Sequence, residues 1–191
     1  MDVNEILVIG INSCGKSTLI DTIEQLTKTE KKTEPIVSDV PFRFTFPRNP
    51  THGIEIKKIP IEKQIYHFRE IGGALRTMWC NFIKRSKKII YLIDASDHTT
   101  VAAASVELRE VLGHPDSKGI PFLIVLNKID IACGVLLEEV QIVLRLDTLE
   151  EEARSRIYFC EIVATSGENV DKIIDWVIEG TDPKKTTKKK S

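Results

Sequence analysis

The chain has 191 residues, of which 42% are apolar and 29% charged, a composition that suits one soluble domain or at most two. Four widely separated cysteines exclude a C-x-x-C zinc site or disulfide framework, and no apolar run approaches the roughly 20 residues of a membrane-spanning helix. The formal net charge of −1 is uneven: residues 183–191 contain five lysines and no acid, and removing those charges leaves −6 on the rest of the chain.

Short apolar runs at residues 6–9, 89–93, 122–126 and 157–163 alternate with amphipathic stretches. Such runs predict strands that are buried on both faces of a parallel sheet. After each run, apolar residues recur three or four positions apart, which predicts helices. The helical positions are Leu19, Ile23 and Leu26; Val101, Ala104, Leu108 and Val111, with Gly113 as the predicted stop; Leu136, Val140, Val143 and Leu144; and Val170, Ile173, Ile174 and Val177. This βα repeat predicts a doubly wound α/β fold.

Residues 54–69 interrupt the repeat. Two apolar-polar runs, 54–59 and 64–69, are separated by residues 60–63, and so short a link predicts an antiparallel hairpin. The preceding segment 28–50 is rich in charge and proline, and a loop of that length predicts a functional or disordered segment.

The loop after the first strand predicts a phosphate-binding site. Residues 10–17 match G-x-x-x-x-G-K-S/T between a strand and a helix, the context in which this pattern binds nucleotides. Backbone amides at the helix start would bind phosphate oxygens, Lys16 would neutralise the β- and γ-phosphates, and the Ser17 hydroxyl would bind Mg²⁺. The predicted nucleotide-binding residues here are Asn12, Ser13, Cys14, Gly15, Lys16, Ser17 and Thr18. The alternative is a chance match in a polar turn, and Cys14 is expected to be a small packed residue rather than a reactive thiol.

Residues 127–130, with the sequence N-K-I-D, follow the third buried strand and predict a guanine-binding loop. The Asp130 carboxylate can accept from both N1–H and N2–H₂ of guanine, a donor pair that adenine lacks. The Lys128 stem can cover the base, and Asn127 can tie this loop to the phosphate loop. After the last strand, the Ala164 amide can donate to guanine O6. The alternatives are a polar turn at 127–130 and a helix cap formed by residues 165–166.

In this order, the motifs resemble those of a small GTPase of the Ras superfamily. Residues 49–55, called switch I below, resemble the P-T-x-G ending of that switch in the Arf-like branch. Gly72, Gly73 and Trp79 resemble that branch's switch II, taken below as residues 72–79, and residues 164–167 resemble its fifth motif. The resemblance implies a phosphate-loop G domain over residues 1–180, whose mostly parallel six-stranded sheet has one antiparallel edge strand and helices on both faces. Residues 181–191 would form a flexible lysine-rich tail.

The resemblance also implies ligands and roles. GTP or GDP and Mg²⁺ would be the cofactors. Thr51 would bind Mg²⁺ and sense the γ-phosphate, and the Gly73 amide would contact the γ-phosphate. Switch I, the hairpin 54–69 and switch II would contact effector proteins, and an exchange factor and an activating protein are the expected regulators.

Two residues depart from the family's pattern. Glu70 stands where the family has an Asp that holds a Mg²⁺-bound water, so magnesium binding is expected to weaken or shift unless the longer side chain is compensated. Ala74 stands where the family has the Gln that positions the attacking water, so we expect very slow intrinsic hydrolysis. No catalytic residue is assigned, and His52 and Glu70 are the candidates that could replace the Gln.

We expect a cytoplasmic GTP-binding switch in intracellular or ciliary trafficking, peripheral to Golgi or ciliary membranes by analogy with the branch. The tail would make weak contact with acidic lipids or remain solvated. An acidic body without a basic, aromatic-studded face argues against nucleic-acid binding. Two alternative functions are a pseudo-GTPase scaffold, favoured by Glu70 and Ala74, and a small nucleotide kinase, disfavoured by the 127–130 motif and the lack of an arginine-rich lid.

Overall fold

The computed structural model describes residues 4–29, 51, 53–131, 142–143 and 155–180. Six strands in these residues form one sheet in the order β2-β3-β1-β4-β5-β6. The strands are Asn4–Ile9 (β1), Ile54–Ile61 (β2), Gln64–Ile71 (β3), Lys88–Asp94 (β4), Phe122–Asn127 (β5) and Ile157–Ile162 (β6). All neighbours pair in parallel except β2 and β3, which are antiparallel. The predicted doubly wound α/β fold with one antiparallel edge strand is therefore confirmed.

Helices cover both faces of this sheet. They are Lys16–Thr29 (α1), Cys80–Ile83 (α2), His98–Gly113 (α3) and Val170–Glu179 (α4), with 3₁₀ turns at Gly73–Met78 and Pro115–Ser117. Successive strand residues point to opposite faces: Val8 packs in the cluster under α1 and α4, and Leu7 packs in the cluster under α2 and α3. The helix predicted around residues 136–144 lies largely outside the described residues, whereas α3 ends at Gly113 as expected.

The hairpin differs from its prediction in the length of its link. β2 continues through Pro60 and Ile61, so only Glu62 and Lys63 connect it to β3. Pro60 belongs to the predicted link but lies in β2, because β2 is an edge strand, where proline's missing N–H is tolerated. Ile61 is buried in the core and so contributes apolar burial that the sequence pattern did not reveal.

The sheet places the motif loops together at the carboxyl ends of its strands. In a parallel sheet the carboxyl ends of the strands lie together, and this is where open α/β sheets bind ligands. The loops that follow β1, β4, β5 and β6 begin at residues 10, 95, 128 and 163. Among the described residues, no helix combines the length and apolar character that crossing a lipid bilayer requires.

Candidate nucleotide-binding site

Two glycines allow the loop after β1 to turn tightly into α1. Gly10 and Gly15 have φ angles of +150° and +98°, which side-chain-bearing residues rarely adopt. A Cβ on Gly10 would lie 2.4 Å from the Leu92 carbonyl oxygen, and one on Gly15 would lie 2.3 Å from Asn127 Nδ2. The loop therefore packs directly on β4 and on the loop after β5. It ends where α1 begins, so the N-terminus of α1 faces the loop as an anion-binding group.

Lys16 is buried at the start of α1 and points back into the loop. Its ammonium donates to the carbonyl oxygens of Gly10 and Ile11, at 2.9 and 3.0 Å. This holds a positive charge within the curve of the loop, where a phosphate would form charge-assisted hydrogen bonds. Burial raises the pKa of the neighbouring Cys14 thiol even though Lys16 opposes the shift. Cys14 is therefore a packed residue of the loop, as expected.

Asn127 joins three segments of the site. Its side-chain amide donates to the Cys14 carbonyl oxygen at 2.8 Å, and its Oδ1 accepts from the Ala164 amide at 3.0 Å. The side chain is buried, so both bonds are shielded from water. The structure thus shows the predicted tie between the base loop and the phosphate loop, and extends it to the loop after β6.

The Ala164 amide has a partner that sequence reasoning did not foresee. Because Asn127 already accepts from it, a guanine O6 at this amide would have to share or replace that hydrogen bond. The Ala164 carbonyl oxygen is also engaged, since Thr22 on α1 donates to it at 2.6 Å. The role of this amide toward O6 stays a prediction. Thr22, which is fully buried, is a site residue that the motifs missed, and its only signal is a hydroxyl on the apolar face of α1.

Lys128 and Asp130 occupy the loop that follows β5. The Lys128 ammonium donates to Asp94 Oδ2 at 2.5 Å, and Asp94 is the last residue of the neighbouring strand β4. The Asp130 side chain is exposed at the carboxyl edge of the sheet. Asp94 belongs to no motif recognised in the sequence, because the contact joins strand ends that are 34 residues apart.

Three side-chain oxygen atoms, from Ser17, Thr51 and Glu70, lie together at the start of α1. Ser17 Oγ and Thr51 Oγ1 lie 3.1 Å apart, and both hydroxyls donate to Glu70 Oε1, at 2.8 and 2.9 Å. Adjacent ligands of an octahedral Mg²⁺ ion are separated by about 2.9 Å, as its ligand distance of about 2.0–2.1 Å requires. Oxygen ligands of this kind fit Mg²⁺, and Ser17 and Thr51 are the residues that would hold it, but the same spacing is that of their hydrogen bonds to Glu70, which Mg²⁺ would have to replace. Glu70 is only 3% exposed and touches both hydroxyls directly.

The glycine pair of switch II packs on both neighbouring segments. A Cβ on Gly72 would lie 2.1 Å from the Thr51 carbonyl oxygen, and one on Gly73 would lie 2.4 Å from the Asn12 nitrogen. Only residues without side chains permit this approach, which places Gly73 against the phosphate loop. Ala74 follows with its methyl group exposed, and Trp79, buried and edge-on to Tyr91, anchors the end of the segment.

Some predicted residues lie outside the described part of the chain. They are His52, the rest of switch I before Thr51, most of the loop 28–50 and the tail 181–191. Among the described residues, no group of three or more His, Cys, Asp or Glu side chains lies close enough together to form a metal cluster.

Comparison with known proteins identifies relatives of this chain. The model of the ADP-ribosylation factor family matches residues 2–181. The chain is 26% identical over 171 residues to human ADP-ribosylation factor-like protein 16, covering 90% of this chain and 83% of that protein. It is 29% identical to ADP-ribosylation factor-like protein 3 of Saccharomyces cerevisiae, covering 91% and 83%. The fold is similar to that of the Arl6 BBS3 small GTPase from Trypanosoma brucei with bound nucleotide analogue GppNp, with a TM-score of 0.68, 22% identity and coverage of 92% and 95%.

Proposed function

Since the chain belongs to the ADP-ribosylation factor family, we propose that it is a GTP-binding switch that binds Mg²⁺ with its nucleotide and hydrolyses GTP very slowly without help. The observation that carries this proposal is the buried Asn127 side chain, which joins the phosphate loop to both loops that would surround the base. The nucleotide site is therefore assembled by the fold itself. Selection for guanine would come from the exposed Asp130 carboxylate.

Each residue of the site has a defined task in this proposal. The amides at the start of α1 and the Lys16 ammonium bind the phosphates, and the Lys128 stem covers one face of the base. Asp130 accepts from the base edge, where adenine would present the wrong groups and leave a carboxylate without donors. Bound Mg²⁺ would supply neutralising charge at the β- and γ-phosphates, and Ser17 and Thr51 hold it.

Slow hydrolysis follows from switch II. The attacking water of a small GTPase must be oriented by a hydrogen-bonding side chain, and the exposed Ala74 methyl group offers none. Glu70 is directed instead at the hydroxyls of Ser17 and Thr51. Arg76, in the same turn, pairs with Glu107 on α3 at 3.4 Å. These contacts support turnover that depends on groups supplied by an activating protein.

The effector surface is proposed to lie on the hairpin and switch II. Three isoleucines of the hairpin and one methionine of switch II expose large apolar side chains, with Ile56 49% and Ile65 58% exposed. Exposed apolar side chains on these two segments support their proposed role as a protein-protein interaction surface. By family analogy we assign the recruited effectors to vesicle or ciliary trafficking, with the protein acting in the cytoplasm at the surface of Golgi or ciliary membranes.

A single-turnover assay tests the proposal. Purified protein is loaded with GTP and Mg²⁺, and with ATP in parallel, and bound nucleotide is extracted at intervals and separated. We expect GTP to load, ATP to fail, and GTP to persist for hours. Rapid conversion to GDP would refute slow hydrolysis, and loading of neither nucleotide would refute the switch.

A non-hydrolysing scaffold is the second candidate, and the Glu70 contacts favour it. Both hydroxyls that would bind Mg²⁺ already donate to a buried carboxylate. Hydrogen exchange separates the two candidates. A switch shows different protection of the hairpin and switch II with GDP and with a non-hydrolysable GTP analogue, whereas a scaffold shows the same protection with both.

A further inference from the structure

A buried carboxylate outside the recognised motifs supports the base loop. Asp94 ends β4 and is 7% exposed. Its Oδ1 accepts from the backbone amide of Ser96 at 3.0 Å and from the Ser96 hydroxyl at 2.5 Å, and its Oδ2 accepts from Lys128 at 2.5 Å. Each of these hydrogen bonds therefore fixes either the end of β4 or the Lys128 side chain.

Lys128 adopts a backbone conformation that needs support. Its φ angle is +67°, in the left-handed region that is unfavourable for a residue with a Cβ. The strand pairing holds the preceding residue, because Asp94 is in register with Asn127 and the Ala95 amide donates to the Asn127 carbonyl oxygen at 2.9 Å. The ion pair with Asp94 then holds the far end of the lysine. Backbone and ammonium are both tied to β4, so the intervening stem has little freedom.

The charges agree with this arrangement. Burial alone would raise the pKa of the Asp94 carboxyl, but hydrogen bonds from Lys128 and Ser96 outweigh burial and bring the pKa below its usual value. The Asp94 carboxylate is thus ionised at neutral pH. The Lys128 side chain remains 31% exposed, so it is accessible to a base that binds beside this loop.

We propose that Asp94 is a positioning residue of the guanine site: it anchors the Lys128 ammonium so that the lysine stem forms a fixed apolar wall against the face of the base. The inference rests on the proposed guanine-nucleotide binding and adds a division of labour to it. The wall contacts the ring face, which guanine and hypoxanthine share. Asp130 reads the base edge, where guanine alone carries the N2 amino group. Loss of Asp94 therefore weakens both nucleotides equally, whereas loss of Asp130 removes the preference for guanine.

The test measures dissociation constants for GDP and for IDP, whose base is hypoxanthine. Asp94→Asn keeps the size of the side chain and an acceptor for Ser96 but removes the charge. We expect roughly tenfold weaker binding of GDP, the range for loss of a charge-assisted hydrogen bond, and the same factor for IDP. Asp130→Asn is expected to bring the two dissociation constants together. Asp97→Asn, the same substitution at an exposed helix cap, is the matched control and leaves both unchanged.

A double-mutant cycle separates positioning from a general structural effect. Lys128→Met keeps an apolar stem but removes the ammonium, so Asp94→Asn causes no further loss of GDP binding in that background. Ser96→Ala, a milder variant that loosens the carboxylate without removing it, is expected to weaken GDP and IDP binding equally and by a smaller factor.

Two results would overturn the inference alone while GDP binding by the wild type stands. One is an Asp94→Asn loss that is as large in the Lys128→Met background as it is with the native lysine. The other is a change in the ratio of GDP to IDP affinity that is caused by Asp94→Asn. A wild-type chain that binds neither nucleotide overturns the proposed function and the inference together.

Discussion

The base side and the metal side of the site are built in different ways. On the base side, polar side chains that are buried in the sheet and α1 hold the loops through bonds to backbone groups; they are Thr22, Asp94 and Asn127. On the metal side, Thr51 and Gly72 lie at the two ends of the edge hairpin, and the Gly72 amide donates to the Gly53 carbonyl oxygen at 2.9 Å. The base side is held by buried polar side chains of α1, β4 and β5, whereas the metal side depends on the β2–β3 hairpin at one edge of the sheet.

On the proposed function, we expect from this difference that nucleotide binding and GTP hydrolysis can be changed separately by substitution. The strands β4, β5 and β6 hold the loops of the base side, and among the groups proposed to bind the base the Ala164 amide would have to share or exchange its hydrogen bond to Asn127. The metal side carries both departures from the family pattern, Glu70 and Ala74. Substitutions on the base side should therefore change affinity, whereas substitutions on the metal side should change magnesium dependence and hydrolysis.

The largest expected effect comes from Asn127→Ala. The change leaves the Cys14 carbonyl oxygen and the Ala164 amide without their buried partner, at a cost of about 1–3 kcal/mol for each group. We expect GDP to dissociate about 100-fold faster, measured by release of a fluorescent GDP analogue. Asn4→Ala, which removes only an exposed bond to Gln64, is the control. A change below about threefold would show that the base side is not held by Asn127.

Ala74→Gln is the complementary change on the metal side. The side chain at this position is exposed, so the longer glutamine fits without displacing the core. A correctly placed amide can orient the attacking water, and single-turnover hydrolysis should rise about tenfold or more while GDP affinity stays the same. Thr77→Gln, at another exposed position of the same turn, should leave the rate unchanged. An unaltered rate in Ala74→Gln would mean that a different defect limits hydrolysis.

Glu70→Asp tests the magnesium half of the comparison with a smaller effect. The shorter carboxylate withdraws from the Ser17 and Thr51 hydroxyls and leaves room for a water, and Mg²⁺ prefers to keep several waters. The Mg²⁺ concentration that half-maximally slows GDP release should fall about three- to tenfold, equivalent to about 1 kcal/mol. Glu110→Asp, at an exposed position of α3, should not shift it. A higher requirement in Glu70→Asp would show that the native glutamate is the better ligand.

The same division explains what the sequence could predict. Apolar runs identify the strands because burial on both faces requires them, and Lys16, Asn127 and Gly73 follow from motifs of local spacing. Pro60 misled the hairpin prediction because its tolerance depends on the strand being at an edge, which is a property of the whole sheet.

Asp94 and Thr22, which support the loops, were not predicted from the sequence for a related reason. Asp94 and Thr22 act through partners 34 and 142 residues away, so neither has a local pattern that marks it. The Ala164 amide shows the limit of motifs in another way. Its position is predictable, but its hydrogen bond to Asn127 depends on how three loops meet.

The smallest effect concerns the link between the edge hairpin and α1. Lys57 on β2 pairs with Asp21 at 2.5 Å and also with Glu24. Its side chain is 36% exposed, so solvent screening limits the contribution, and Lys57→Met should lower the free energy of unfolding by less than about 1 kcal/mol. Urea unfolding at neutral pH measures this. The nearby Lys58→Met, at a position without a described ion pair, is the control.

The pH dependence of the difference in unfolding free energy between wild type and Lys57→Met gives a sharper test. Although burial opposes it, hydrogen bonds to Asp21 and Glu24 raise the pKa of Lys57, so its contribution is present below the unfolded value of about 10.4 and disappears as pH rises through the folded value. Burial would raise the pKa of Glu24, but Lys28 and Lys57 outweigh burial and lower it. The contribution of Glu24 to stability is therefore present above about pH 4.3 and is lost as the pH falls through the folded pKa. The difference between wild type and Lys57→Met should form a plateau from about pH 5 to 10 and vanish on both sides. A difference that persists at pH 3 would mean that the lysine stabilises the hairpin through packing of its stem, and the edge would then be tied to α1 by apolar contact rather than by charge.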